Sequence, residues 1–251
     1  MGPAVSVVVA SLSDPGEIDP VAVLDAQPFD DYEVIVRDDP GASTARNAGI
    51  REASADNLVF LDDDAIPHEN YLPAALDALD ENPIVGGRIF HPGDGAISHL
   101  TGGYDRGDER HYPETKTGSF RRGTTAVSGC NMAFRREVFE RVGDFDTYLE
   151  WGHEETDLVR RALSMGYRVL YDPVMAVTHS IATSVLDYWD RCYRFGAPDL
   201  RYDRKWRVPL SERVSEVAVP LRLEATPVAT AVATVGNCYR SLGYLRALLA
   251  G

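Results

Sequence analysis

Three aspartates in a row, Asp62–Asp63–Asp64, follow directly on the apolar run Leu58–Val59–Phe60–Leu61. Like charges packed this closely repel, so the triplet calls for a cation or strong hydrogen-bond donors beside it. Carboxylate oxygens are what hard divalent ions prefer. A polar turn opening a helix near Pro67 would use the same residues, because aspartate caps and turns well. Three more polar clusters fall at strand ends or helix starts: Asp38–Asp39, Glu154–Glu155 and His179. Each alone has a local explanation: a turn before Pro40–Gly41, an acidic helix N-terminus, a satisfied polar residue at a strand end. Together they form a set of carboxylates and one imidazole suited to cation binding and proton transfer.

The elements that must position these residues read in order. Val5–Ala10 is a β-rich run fit for a buried parallel strand, and Ser11–Gly16 is loop chemistry. Asp19 then Pro20 give an N-cap and a proline at the first helical position, with the helix running towards Ala26. A second strand, Glu33–Val36, leads into Asp38–Asp39. Ser43 or Thr44 caps the next helix, which carries Arg46 and Asn47 in its first turn. The strand before Asp62 comes third, followed by a helix with Leu72, Leu76 and Leu79 on one face and an apolar run at Pro83–Val85. Strand–helix–strand–helix–strand implies right-handed crossovers and a mostly parallel sheet. Pro92–Gly123, rich in Gly, Asp, Arg, Tyr and Thr, reads as a long functional loop. Order returns at Ala126–Phe134, with a short helix through Val138–Phe139 that stops at Gly143–Asp146. Glu154–Asp157 opens an amphipathic helix with Leu158, Ala162 and Met165 on one face; Val169–Tyr171 and Ala176–His179 are further strands. From Ser184 on the chain is helical, with Leu186, Tyr188 and Trp189 as core positions. An Arg/Trp mix at Arg204–Arg207 is suited to phosphates or a membrane surface.

Composition removes several function classes. The formal net charge of -14 argues against a nucleic-acid partner, whose phosphates demand a basic face. With 44% hydrophobic residues a sizeable core is available. Only Lys116 and Lys205 are lysines, and an acidic, lysine-poor surface fits a halophilic source. Cys130, Cys192 and Cys238 are isolated, so neither a disulfide framework nor a cysteine-based zinc site is indicated. The start lacks a basic region before its apolar run, and no apolar segment approaches the roughly 20 residues needed to cross a bilayer. The expectation is a cytoplasmic protein, in peripheral contact with the inner membrane face at most. No Walker loop, GxGxxG or GxSxG follows a strand.

The ordered set of motifs resembles family 2 glycosyltransferases of the GT-A fold, the nucleotide-diphospho-sugar transferase superfamily. The matching stretches are Val5–Val9, Glu33–Asp39, Ala45–Ile50 and Phe60–Asp64, then Gly129–Arg135, Gly143–Asp146, Glu154–Leu158 and His179, in family order. The resemblance implies an α/β GT-A fold: a mostly parallel central sheet flanked by helices, with a Rossmann-like nucleotide-binding half and an acceptor-binding half. A GT-A domain over residues 1–183, its nucleotide-sugar half about 1–91 and its acceptor half about 92–183, is expected before a helical C-terminal extension over 184–251.

By the same resemblance, the chain is an inverting, metal-dependent enzyme. It moves a sugar from a nucleotide-diphosphate sugar to a hydroxyl of a saccharide or lipid-linked acceptor. Asp64 is the principal ligand of a Mn2+ or Mg2+ ion, His179 a further one, and Asp62 meets the ribose or the metal. Asp38 or Asp39 binds base or ribose, Arg46 lies near the nucleotide, and Ser11, Asp63 and Asn131 join the nucleotide-sugar contacts. The family's base is the second residue of a Glu–Asp pair. Here that position is Glu155, with Glu154 and Asp157 as the other candidates. Trp151 and Gly152, just before, stand on the acceptor side. Ser11–Asp14 replaces the family's Asn-containing turn, and Pro40–Gly41 shortens the connection to Arg46. Two other classes compete. A nucleotidyltransferase would carry a basic, Gly-rich loop after the first strand, whereas Ser11–Gly16 has no basic residue. A non-catalytic nucleotide-sugar binder would not need every acidic cluster.

Overall fold

The computed structural model describes residues 2–92, 106–113, 127–150, 152–179, 182–209, 221, 223–224 and 226–250. Trp151 and most of the Pro92–Gly123 loop therefore lie outside the described residues. The chain divides into two compact units. One comprises Met1–Phe90, Gly103–Thr147 and Glu154–His179; the other comprises His91–Gly102, Tyr148–His153 and Ser180–Gly251.

The first unit is built on one sheet. Its strands are β1 (Val5–Ala10), β2 (Tyr32–Arg37), β3 (Asn57–Asp62), β4 (Ile66–Pro67), β5 (Ile84–Phe90), β6 (Asn131–Arg135) and β7 (Leu170–Thr178). Their order across the sheet is β2-β1-β3-β6-β5-β7-β4. β2, β1 and β3 pair in parallel, as do β5 and β7, while β6 runs antiparallel to both β3 and β5. The parallel βαβ start thus holds for the first three strands, and the other half of the sheet is mixed. The helices are α1 (Asp19–Asp25), α2 (Ala42–Glu52), α3 (Tyr71–Glu81), α4 (Arg136–Val142) and α5 (Glu154–Ser164).

Strand alternation sorts the core into two layers, because successive side chains leave opposite faces of a sheet. Val7, Val9, Val59 and Leu61 face one layer with Leu24 of α1 and Tyr71, Leu72 and Leu79 of α3. Val8, Leu58 and Phe60 face the other with Ile50 of α2, Phe139 of α4 and Leu158 of α5. Both faces of β1 and β3 are covered, hence their near-continuous apolar sequences. α2 comes so close to β1 that a Cβ on Gly49 would stand 2.3 Å from Val8 Cγ1.

Several local expectations change. Ile18, not Asp19, is the N-cap of α1, and Asp19 lies inside the first turn. Gly41, at φ 94°, occupies the N-cap of α2. Ser43 is buried in the first turn with its Oγ unpartnered among the described residues. The stretches Val169–Tyr171 and Ala176–His179 belong to one strand, β7. It carries Asp172–Pro173 through a register shift opposite Gly87/Arg88. Proline has no N–H for the ladder, and Asp172 Oδ1 accepts from Val174 N across the irregularity at 2.8 Å. β4, two residues long, was not visible in the sequence pattern. Met165 falls just past α5 and is half exposed.

The second unit contains two long helices, α6 (Val185–Lys205) and α7 (Pro227–Leu249). Ser184 Oγ accepts from Asp187 N, and Thr226 Oγ1 from Ala229 N, so both helices start on side-chain caps. They pack through small residues: a Cβ on Gly243 would stand 1.9 Å from Tyr193 O. Arg240 of α7 forks onto Asp199 of α6 at 2.5 Å, and Tyr244 donates to Asp203 at 3.0 Å. Leu186, expected in the core, is 72% exposed. No described helix is long and apolar enough to cross a membrane.

Candidate active site

β1, β2 and β3 are parallel, so Ser11, Asp38–Asp39 and Asp62–Asp64 emerge at one edge of the sheet. This carboxyl edge is where open α/β sheets hold ligands. β6 enters at the same edge because it runs antiparallel to β3, with Asn131 opposite Leu61. His179, directly after β7, completes the row.

The three aspartates part company there. By alternation Asp62 turns to the α2/α5 layer, and its Oδ1 accepts from Arg46 Nη2 at 2.9 Å. Arg46 Nη1 donates to Glu154 Oε1 at 2.8 Å, so one guanidinium joins the strand end to the first residue of α5. Arg46 is buried. Burial alone would weaken its charge, but Asp62, Glu154 and Glu155 outweigh that and raise its pKa. Its Nε and Glu154 Oε2 are buried without partners among the described residues. A Cβ on Gly129 would stand 2.9 Å from Arg46 Nη2, so glycine there leaves room for the guanidinium. Asp63 turns the other way and accepts from Ser11 Oγ at 2.6 Å. Asp64 Oδ1 lies 3.0 Å from His179 Nε2.

His179 is buried, and burial disfavours its charged form. Hydrogen bonding to Asp64 and Cys130 prevails and lifts its pKa from 6.5 to about 10. Its Nδ1 is buried without a hydrogen-bond partner among the described residues. Ligand atoms of Asp62, Cys130 and His179 all lie within 4.8 Å of one another. Carboxylate and imidazole donors fit Mn2+. The expected donors therefore fit a divalent ion.

The acidic helix start is divided by burial. Glu154 is buried against Arg46. Asp157 is fully buried and accepts from Arg161 Nε at 2.8 Å; the same arginine also donates to the carbonyls of Val142, Gly143 and Asp144. Glu155 is only partly buried. Asn131 is fully buried in internal bonds: Oδ1 accepts from Tyr71 at 2.9 Å, and Nδ2 donates to the carbonyls of Arg88 and Met175. Asp39 pairs with Arg37 at 2.8 Å, while Asp38 is exposed. Gly152, at φ 147°, belongs to the second unit, where a Cβ would stand 2.8 Å from Phe195 Cε1.

Two participants escaped the sequence reading. Asn47 clamps the Gly143–Asp146 turn, its Nδ2 donating to Phe145 O at 2.8 Å and its Oδ1 accepting from Phe145 N at 3.0 Å. Cys130, which looked isolated, stands in the turn before β6 with its Sγ within 4.8 Å of ligand atoms of Asp62 and His179. No spacing rule signals either contact.

The fold is that of the GT-A glycosyltransferases, as solved structures of like fold show. A mannosyltransferase of Pyrobaculum calidifontis, solved with GDP-Man and Mn2+, matches with a TM-score of 0.57 at 18% identity, covering 100% of this chain and 75% of that one. TarS of S. aureus matches with a TM-score of 0.50 at 12% identity, covering 100% and 92%. The pattern of glycosyl transferase family 2 fits residues 19–143, and that described as the N-terminal domain of galactosyltransferase fits residues 113–181. The chain belongs to glycosyltransferase family 2. Two relatives come from Haloferax volcanii. Glycosyltransferase AglE is 27% identical, over 57% of this chain and 46% of its own length. A glucosyl-dolichyl phosphate glucuronosyltransferase is 26% identical, over 56% and 48%. The pre-mycofactocin glycosyltransferase of Mycobacterium tuberculosis is 26% identical, over 72% and 37%. The chain thus spans half or less of the length of these relatives.

Proposed function

We propose that the protein is an inverting, metal-dependent glycosyltransferase that moves a sugar from a nucleotide-diphosphate sugar to an acceptor hydroxyl in glycan or glycolipid assembly. The observation that carries this reading is the gathering of Asp62, Asp64 and His179 at one sheet edge, with Arg46 linking Asp62 to the start of α5. Asp62, Asp64 and His179 would hold Mn2+ or Mg2+. When bound, such an ion neutralises charge growing on the diphosphate as the glycosidic bond breaks. Asp38 and Asp39, at the end of β2, are offered to base and ribose. Ser11 and Asp63, bonded to each other, line the same strand ends.

Glu155 is the base. Glu154 and Asp157 are buried in ion pairs with Arg46 and Arg161, whereas Glu155 is the partly exposed carboxylate of the acidic start. It takes the acceptor's hydroxyl proton while that oxygen attacks the anomeric carbon from the face opposite the leaving diphosphate, so configuration inverts.

A dolichyl-phosphate substrate in one relative's name and the chemistry of the second unit support a lipid-linked acceptor at an anionic, cytoplasmic membrane face. Val228, Val235, Leu242, Leu245 and Leu249 are all exposed on α7, four of them at seven-residue intervals. Residues 184–251 carry ten basic and seven acidic side chains, against 15 and 32 elsewhere. Binding to anionic vesicles that Leu242→Glu/Leu249→Glu abolishes would bear this out; equal binding by both proteins would refute it.

The main test is donor turnover. A thermal-shift panel of UDP-, GDP- and dTDP-sugars with Mn2+ identifies the donor, since a ligand binding the native state raises its stability. Transfer should then vanish on chelation and in Asp64→Asn. Full turnover by either would overturn the metal assignment.

A further inference from the structure

We propose that Cys130 adds a sulfur donor to the cation site at the end of β3, so that the site takes thiophilic ions, Zn2+ or Cd2+, through Asp62, Cys130 and His179. The inference rests on the reading of this edge as a metal site and names which ions its donor set favours. Three ligand atoms, a carboxylate oxygen, Cys130 Sγ and a ring nitrogen of His179, stand within 4.8 Å of one another. That spread leaves room for one ion to contract them onto itself. A further donor stands beside them: Asp64 Oδ1 lies 3.0 Å from Nε2 of His179, which is itself only 7% exposed.

Placement of the sulfur follows from topology. Antiparallel pairing sets Leu61 opposite Asn131; Asp62 follows the first and Cys130, in the turn leading into β6, precedes the second. Cys130 is a free thiol at 3% exposure, with Ser128 Oγ 3.4 Å from its Sγ. A plain core thiol would be surrounded by apolar groups alone; this one has a carboxylate and an imidazole beside it.

The donor set decides selectivity. Mg2+ and Mn2+ favour oxygen, whereas a thiolate favours Zn2+ and its softer congeners. As the metal–sulfur bond forms, the S–H proton passes to solvent, and thiolate and carboxylate together balance the divalent charge. No electron changes hands. Thiophilic ions should therefore bind here in competition with Mg2+ or Mn2+.

The test is direct titration with metal alone, using the full chain stripped of metal in a Cys192→Ser/Cys238→Ser background that removes the other thiols. Cd2+ and Zn2+ should bind more tightly than Mg2+, and Co2+ should give a thiolate-to-metal charge-transfer band. Cys130→Ser and Cys130→Ala, each checked for unchanged circular dichroism and melting temperature, should both lose the band. Both should weaken Cd2+ binding by at least roughly tenfold while Mg2+ affinity changes less than about twofold. Absence of the band, unchanged Cd2+ affinity in the variants, or equal losses for Cd2+ and Mg2+ would each overturn the proposal. A charge-transfer band in a protein that transfers no sugar would refute the transferase reading and leave the sulfur site standing. Mn2+-dependent transfer without a band would do the reverse.

Discussion

Arg46 shows how one buried charge organises several others. Its guanidinium is held at 2.9 Å from Asp62 and 2.8 Å from Glu154. Removing it strands Glu154 in a buried site, so Arg46→Met should cost roughly 3–5 kcal/mol, read from urea denaturation. Glu155→Gln should behave oppositely: stability and donor affinity unchanged, kcat down by about 10²–10⁴. An unimpaired kcat would move the base elsewhere. His179 makes a pH prediction for the metal-free protein. Its folded pKa, about 10, lies above the ordinary 6.5, so its stabilising contribution is complete below about pH 6.5. That contribution is lost as pH rises through 10. The urea midpoint should fall between pH 7 and 10 in wild type and fall less in His179→Gln.

At the level of elements, the α2/β1 contact and the β3/β6 register position the site. Gly49 lets α2 reach the sheet, since a Cβ would overlap Val8 Cγ1 at 2.3 Å. Val8 is fully buried and has nowhere to move. Gly49→Ala should therefore destabilise by about 1–3 kcal/mol, more than the ~1 kcal/mol that alanine gains in a helix. Val8→Ala should make the second change milder, a coupling that a double-mutant cycle reads directly. How much of this was legible varied with range. Strands β1 to β3 showed in runs such as Val5–Ala10, because their periodicity and loop chemistry are local. β7 read as two strands because Pro173 breaks the apolar pattern, and only pairing with β5 reveals continuity.

Over the whole molecule, charge is the dominant feature. A net charge of -14 destabilises the compact state by self-repulsion, which salt screens. Raising KCl from about 0.1 to 2 M should raise the melting temperature; a salt-independent or falling value would count against a halophilic surface. The distribution matters as much as the total, since residues 184–251 carry an excess of basic over acidic groups.

What the sequence determined by itself was which polar residues end the strands or open the helix at Glu154. Acidic clusters at strand ends and at one helix start single out Asp38–Asp39, Asp62–Asp64, Glu154–Glu155 and His179 as candidates, and finding them needs only short-range pattern. Tertiary structure alone decided which partner each of them meets. Alternation and packing sent Asp62 to Arg46, Asp63 to Ser11 and Asp64 to His179. Burial separated Glu155 from Glu154 and Asp157, and took Asn131 into the core. It also brought in Cys130, 68 residues from Asp62 in the chain. Such contacts depend on strand register and helix approach over long separations, which no local spacing encodes.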